Sequence, residues 1–187
     1  MKRFAIYCFV VSTALAIGST RMQAADTPAK DAIVGPLRMQ WKLTKDLIMN
    51  MAEAIPEAKY DYKPTPEVRT FREQLTHLVS ENMNYMSMVA GDKPPDRAKL
   101  EALQSRDEIL KALRESYEYG EKALADLTDE KAAETITLRG QKVLRWYPAL
   151  ANIADNEDHY GNLVVYVRLN GMVPPKTAAR QAQQQQK

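Results

Sequence analysis

The chain contains two histidines, His77 and His159, and an aspartate stands one helical turn before the second in Asp155-Asn156-Glu157-Asp158-His159. Residues at i and i+4 lie over one another on a helix, which is the spacing needed to offer two ligands to one ion. Two neutral imidazoles and one carboxylate suit a divalent metal: zinc, nickel, iron or manganese. Three protein ligands, His77, Asp155 and His159, leave coordination positions open for water or substrate, and an ion so held lowers the pKa of its water and polarises a carbonyl. Glu81, one turn beyond His77, is a reserve as fourth ligand or general base. A plainer reading uses the same residues. An Asp and a His one turn apart form a local surface pair worth about 0.2–0.5 kcal/mol, and Asp155 can instead serve Arg145 or Arg168.

Either reading needs helices to place these groups. Trp41, Leu43, Leu47, Ile48 and Met51 repeat at helical spacing, predicting a first helix over 33–54 that Pro56 stops. A proline-marked connection with Pro64 and Pro66 follows. Thr70 with Glu73 has the form of a capping box and opens a second helix, whose stripe runs through Phe71, Leu75, Leu78, Val79 and Met86 to Gly91. A third helix is expected from Arg106 to Leu127. Residues 134–147 are the least helical part, and Thr135-Ile136-Thr137-Leu138 before Arg139-Gly140-Gln141 suggests a short extended excursion with a turn. A fourth helix starts near Pro148 and ends at Leu169 or Asn170, before Gly171. At about 100° per residue it places Asn152, Asp155, His159, Asn162 and Tyr166 on one side. Leu150, Ile153, Ala154, Gly161 and Val164 fall opposite. Four long helices with short-to-medium loops imply an all-α, antiparallel four-helix bundle in one domain over 33–172.

The ends differ from the middle. Lys2 and Arg3 precede an apolar run from Phe4 to Ile17, followed by small residues to Ala24-Ala25. That is the plan of a secretory signal peptide, residues 1–24, with cleavage at Ala24 or Ala25. A linker over 25–32 would then lead into the bundle, and the protein would be periplasmic or secreted, with no stable membrane span after cleavage. The full chain has 26 basic and 24 acidic residues. Cleavage removes Lys2, Arg3 and Arg21 and no acid, so the formal net charge passes from +2 to −1. No basic stripe interleaved with aromatics remains, which argues against nucleic acid as a partner. The single cysteine, Cys8, leaves too, so neither a disulfide nor a thiolate ligand is available. Residues 176–187, KTAARQAQQQQK, are polar and low in complexity, and a disordered Gln-rich tail is expected there. Met83, Met86 and Met88 could serve copper(I), but methionine is a common filler of helical cores.

Two stretches, Asp155 to Pro175 (DNEDHYGNLVVYVRLNGMVPP) and Tyr62 to Val79 (YKPTPEVRTFREQLTHLV), resemble the DinB-like, damage-inducible family of four-helix proteins, relatives of the metal-dependent thiol transferases. The resemblance implies a metal triad of one histidine in helix two and two in helix four, within His-x-x-x-His-Arg-Gly-Gln. His77 matches the first histidine. His159 matches the last, with Tyr160-Gly161-Asn162 in place of Arg-Gly-Gln, and the middle histidine falls on Asp155. The expectation is therefore an exported, divalent-metal-binding bundle of hydrolase-like or transferase-like activity that takes a small-molecule ligand. A homodimer is compatible with such a bundle. The alternatives are a non-catalytic bundle, binding a small molecule or a partner through a degenerate metal site, and a thiol-dependent S-transferase.

Overall fold

The computed structural model describes residues 31–186. The expected signal peptide, cleavage point and most of the linker lie outside these residues.

Helix α1, Val34–Ala54, buries Val34, Leu37, Trp41, Ile48, Met51 and Ala52, a stripe at three- and four-residue steps. A single 3-10 turn, Glu57–Lys59, follows Pro56. Helix α2, Phe71–Ala90, starts on the expected capping box: Thr70 Oγ1 accepts from the Glu73 amide, and Glu73 Oε2 accepts from the Thr70 amide at 2.6 Å. It ends on Gly91 at φ 84°, a left-handed cap that L side chains rarely adopt. A short helix α3, Arg97–Glu101, interrupts the connection to α4, Arg106–Asp126. Helix α4 has its own capping box, Ser105 with Glu108. One turn of helix, α5, Asp129–Ala132, leads to a two-stranded hairpin. Its strands β1, Thr135–Leu138, and β2, Gln141–Leu144, pair antiparallel, with Leu138 opposite Gln141. Arg139 at φ 49° and Gly140 at φ 79° form the tight turn between them, both in the left-handed region that a type I′ hairpin turn requires. Helix α6, Tyr147–Leu169, carries Pro148 in its first turn.

The long helices form one bundle in which α1 and α2 each pack on both α4 and α6. Helix α1 runs antiparallel to α4: Arg38 reaches the Leu124 carbonyl, Lys45 meets Glu121, and Arg114 meets Glu53. Helix α2 runs antiparallel to α6, with Gln74 beside His159 and Asn82 beside Asn152. The two middle helices, α2 and α4, run in the same sense, Asn82 beside Ser116 and Asp92 beside Tyr119. The connection through α3 returns the chain to the end of the bundle where α2 began. At the core Trp41 stacks obliquely on Tyr117 at 5.1 Å and donates to the Tyr117 carbonyl at 3.1 Å. Gly120 makes this approach possible, because a Cβ there would overlap the Trp41 ring.

Helix α6 turns most of its polar row inward: Asn152, His159 and Tyr166 are buried, with Asn156 beside them, whereas Asn162 is exposed and Leu150 from the opposite side is 42% exposed. The polar row can be buried because its groups find partners, as shown below. The expected disordered tail over 176–187 needs correction. Pro175–Gln185 forms a helix, α7, and contacts α1. Pro174-Pro175 sets its start, and a run of Ala, Arg, Gln and Lys is among the best helix formers. No described helix is long and apolar enough to cross a membrane.

Candidate metal centre

His77 stands on the second turn of α2; Asp155 and His159 stand on α6. Because α2 and α6 run antiparallel side by side, residues far apart in sequence meet. The His77 and His159 rings lie edge to face, centroids 5.0 Å apart. Asp155 Oδ1 is 3.8 Å from His159 Nε2. One ligand atom from each of His77, Asp155 and His159 lies within 4.8 Å of the other two. The three residues singled out in the sequence thus converge on one point.

Neighbouring groups orient the rings. His159 Nδ1 lies 2.6 Å from Gln74 Oε1, and an amide oxygen can only accept, so Nδ1 carries the proton and Nε2 keeps a lone pair towards Asp155. His77 Nδ1 lies 3.1 Å from an Arg97 nitrogen, which can only donate, and 3.4 Å from Glu101 Oε1, an acceptor. Glu101 also accepts from Ser80 at 2.8 Å and from Arg97 at 2.9 Å. Burial works to raise its carboxyl, but these hydrogen bonds outweigh it and hold Glu101 below its usual range.

Electrostatically the centre is strained towards neutrality. Burial pushes the Asp155 carboxyl up and the His159 imidazole down. Asp155 Oδ2 is buried with no hydrogen-bond partner among the described residues. Such an orphaned carboxylate oxygen beside two imidazole nitrogens fits a cation in its donor set.

The other sequence candidates fall outside the triad. Glu81 is buried and its Oε1 is 2.6 Å from an Arg97 nitrogen, so it is held by that guanidinium. Arg145 pairs with Glu134 at 2.9 Å rather than with Asp155. Met86 is fully buried in the core.

Sequence reasoning passed over the groups that fix the geometry. Gln74 is a polar residue one turn before His77, and only the α6 partner reveals its role. Arg97 and Glu101 sit on a five-residue helix with no distinctive pattern. A further set locks α6 against α2 and α4. Asn152 and Asn156 donate to Asn82 Oδ1 at 3.1 and 2.9 Å, Asn82 donates to Ser116 at 3.1 Å, and the Tyr117 hydroxyl donates to Asn156 Oδ1. Asn156 is adjacent to Asp155, so this network sets the rotation of α6 that turns Asp155 and His159 towards His77.

A family model described as the DinB superfamily matches residues 40–161. Among solved structures, a DinB-like protein from Bacillus cereus ATCC 10987 has a TM-score of 0.67 at 16% identity, over 80% of this chain and 98% of that one. A DinB-like protein from Bacillus subtilis has a TM-score of 0.62 at 20% identity, over 74% and 93%. A mycothiol-dependent maleylpyruvate isomerase has a TM-score of 0.57 at 14% identity, over 70% of this chain and 60% of the isomerase. At these identities the likeness to the three structures is one of fold. No curated protein matches the chain.

Proposed function

Since the chain belongs to the DinB superfamily, we propose that it binds one divalent metal ion through His77, Asp155 and His159 and presents that ion to a small molecule. The convergence of the three ligand atoms within 4.8 Å carries the reading. Three ligands held at about 2.1 Å from one tetrahedral ion stand about 3.4 Å from one another, so the widest pair has to close by about 1.4 Å, shared between two side chains. The unpartnered Asp155 Oδ2 supports it, because a cation supplies what the protein around that oxygen does not. The donor set suits zinc, nickel, iron or manganese.

When bound, the ion would act as a Lewis acid and lower the pKa of a coordinated water. The chain's own residues do the rest. Gln74 keeps the His159 proton on Nδ1, Arg97 and Glu101 both meet Nδ1 of His77, and Arg97 ties Glu101 to the buried Glu81. Such outer partners set ligand orientation and basicity. The activity that follows is of hydrolase or transferase type on a small molecule. The site we propose is extracytoplasmic, in the periplasm or outside the cell, which the Lys2-Arg3 and Phe4–Ile17 pattern supports.

The test is metal analysis of the purified protein beside His159→Ala, with thermal unfolding in added nickel, zinc or manganese. One equivalent of metal and a rise in Tm in the parent, both lost in the variant, are the expected results, since an ion that binds only the folded state stabilises it by mass action. No stoichiometric metal and no shift with any of the three ions would sink the reading.

A further inference from the structure

His77 is approached from two helices besides its own. From α6 come the His159 ring, 5.0 Å away between centroids, and Asp155. From α3 come Arg97 Nη2 and Glu101 Oε1, at 3.1 and 3.4 Å from the His77 Nδ1. One nitrogen cannot satisfy both α3 groups. A guanidinium only donates, so its bond needs a lone pair on Nδ1, whereas a carboxylate only accepts and needs a proton there.

The surroundings decide between the two. Glu101 Oε1 already accepts from Ser80 Oγ at 2.8 Å and from Arg97 Nε at 2.9 Å, which uses both lone pairs of that oxygen. The Arg97 nitrogen is also the nearer neighbour of Nδ1. Its guanidinium is held for this contact at every nitrogen: Nη1 is 2.6 Å from Oε1 of the buried Glu81, Nε is on Glu101, and Nη2 is on His77. The other charged groups of the cleft beside His77, which are Lys63, Glu67, Arg69 and Glu73, make no hydrogen bond to either of its ring nitrogens among the described residues.

A neutral imidazole has one nitrogen with a free lone pair, and a metal ion needs that pair. An ion on Nδ1 takes the pair that Arg97 holds. An ion on Nε2 leaves the ring proton on Nδ1, where it faces the Arg97 N–H groups. Either way, the Arg97–His77 bond and a His77–metal bond exclude each other. We infer that Arg97 is a built-in competitor for His77, and that loading the centre requires its release from the ring. The inference rests on the metal reading above and names what regulates that same site. Helix α3 can give way, because it is five residues long and none of its residues is fully buried. As Arg97 withdraws, Glu101 Oε1 regains a lone pair and can accept from Nδ1.

The test uses the full chain, zinc, and the double variant Glu81→Gln/Arg97→Met. This variant removes one charge of each sign and leaves no buried carboxylate unpaired. Glu81→Gln alone keeps the competitor. Competition against a chromophoric chelator reads zinc affinity. The double variant should bind zinc about tenfold more tightly than the parent, the factor for one charge-assisted hydrogen bond that no longer has to be broken. Glu81→Gln alone should show no gain. Nitrogen-15 spectra of the imidazole rings add a reading on the parent itself, independent of whether a variant folds, with the His77 signals identified by their loss in His77→Gln. Without zinc the two histidines should be opposite tautomers, His159 protonated on Nδ1 and His77 on Nε2. Zinc affinity in the double variant no higher than in the parent, an equal gain in Glu81→Gln alone, or a His77 proton on Nδ1 in the zinc-free parent overturns this inference and leaves the metal reading standing. A parent that takes up no metal overturns the metal reading, and this inference with it.

Discussion

His159 Nδ1 lies 2.6 Å from Oε1 of Gln74, a residue on the neighbouring helix three positions before His77. One amide therefore links the two helices that carry the triad and sets which imidazole nitrogen faces Asp155. Replacing Gln74 by Leu keeps the bulk and removes the acceptor. Metal affinity should fall by about 10–100-fold, the usual cost of losing an outer partner of a ligating histidine, and the denaturation midpoint without metal should fall as well, because the buried His159 N–H is left without an acceptor at a cost of about 1–3 kcal/mol. Competition against a chromophoric chelator measures the first and urea unfolding the second. Unchanged affinity would remove Gln74 from the site.

Asp155 stands where the resemblance places a histidine, and it is 34% exposed, which leaves room for a ring. Asp155→His should tighten nickel and zinc binding by about tenfold or more, since imidazole suits these ions better than a carboxylate does. The same chelator competition reads it. Weaker binding would mean that the carboxylate itself is required.

Asn156 is buried between the Tyr117 hydroxyl and Asn82 Oδ1. Truncation in Asn156→Ala leaves the fully buried Tyr117 hydroxyl without an acceptor. A loss of about 2–4 kcal/mol is expected from an orphaned buried donor together with the missing bonds. It should appear as a lower urea midpoint with an unchanged slope. Metal affinity should fall as well, because the network holds the rotation of α6.

Gly120→Ala sets two effects against each other. Helix propensity favours alanine by about 1 kcal/mol. The added Cβ, however, meets the Trp41 ring, and overpacking a filled core costs about 1–3 kcal/mol. The overlap involves a rigid indole held by its hydrogen bond to Tyr117, so the clash should win and Tm should drop. A rise in Tm would show that Trp41 can move aside.

Tyr60 is fully buried, and burial pushes its hydroxyl up to about 12 from its ordinary value of 10.0. The folded state holds this proton more tightly than the unfolded chain. The contribution is therefore fully present below about pH 10 and is lost as pH rises towards 12. Two pKa units correspond to about 2–3 kcal/mol. Urea midpoints measured from pH 8 to 12 should fall along this limb, and Tyr60→Phe should make the fall shallower. An identical profile in the variant would exclude Tyr60 as a contributor.

Much of this arrangement was legible in the chain because it is local. Apolar spacing and the Thr70–Glu73 box located the long helices almost to the residue, Arg139-Gly140 marked the hairpin turn, and the i,i+4 relation of Asp155 and His159 is a property of any helix. The burial of Asn152 and Asn156 on α6 was not legible. Local hydrophobicity favours burying Leu150 over Asn152, and the order reverses because Asn82, Ser116 and Tyr117 come from two other helices to satisfy the asparagines.

The sequence by itself determined the donor set, two histidines and one aspartate, and the helices that bear them. Only the tertiary structure decided that His77 meets the other two, that Gln74 faces the His159 ring while Arg97 and Glu101 face that of His77, and that Glu81 belongs to Arg97. The reason is physical. Helical periodicity is written in neighbouring residues, whereas the partner of a buried or charged group depends on which helices lie side by side and how each is rotated, and that follows from the packing of the whole bundle.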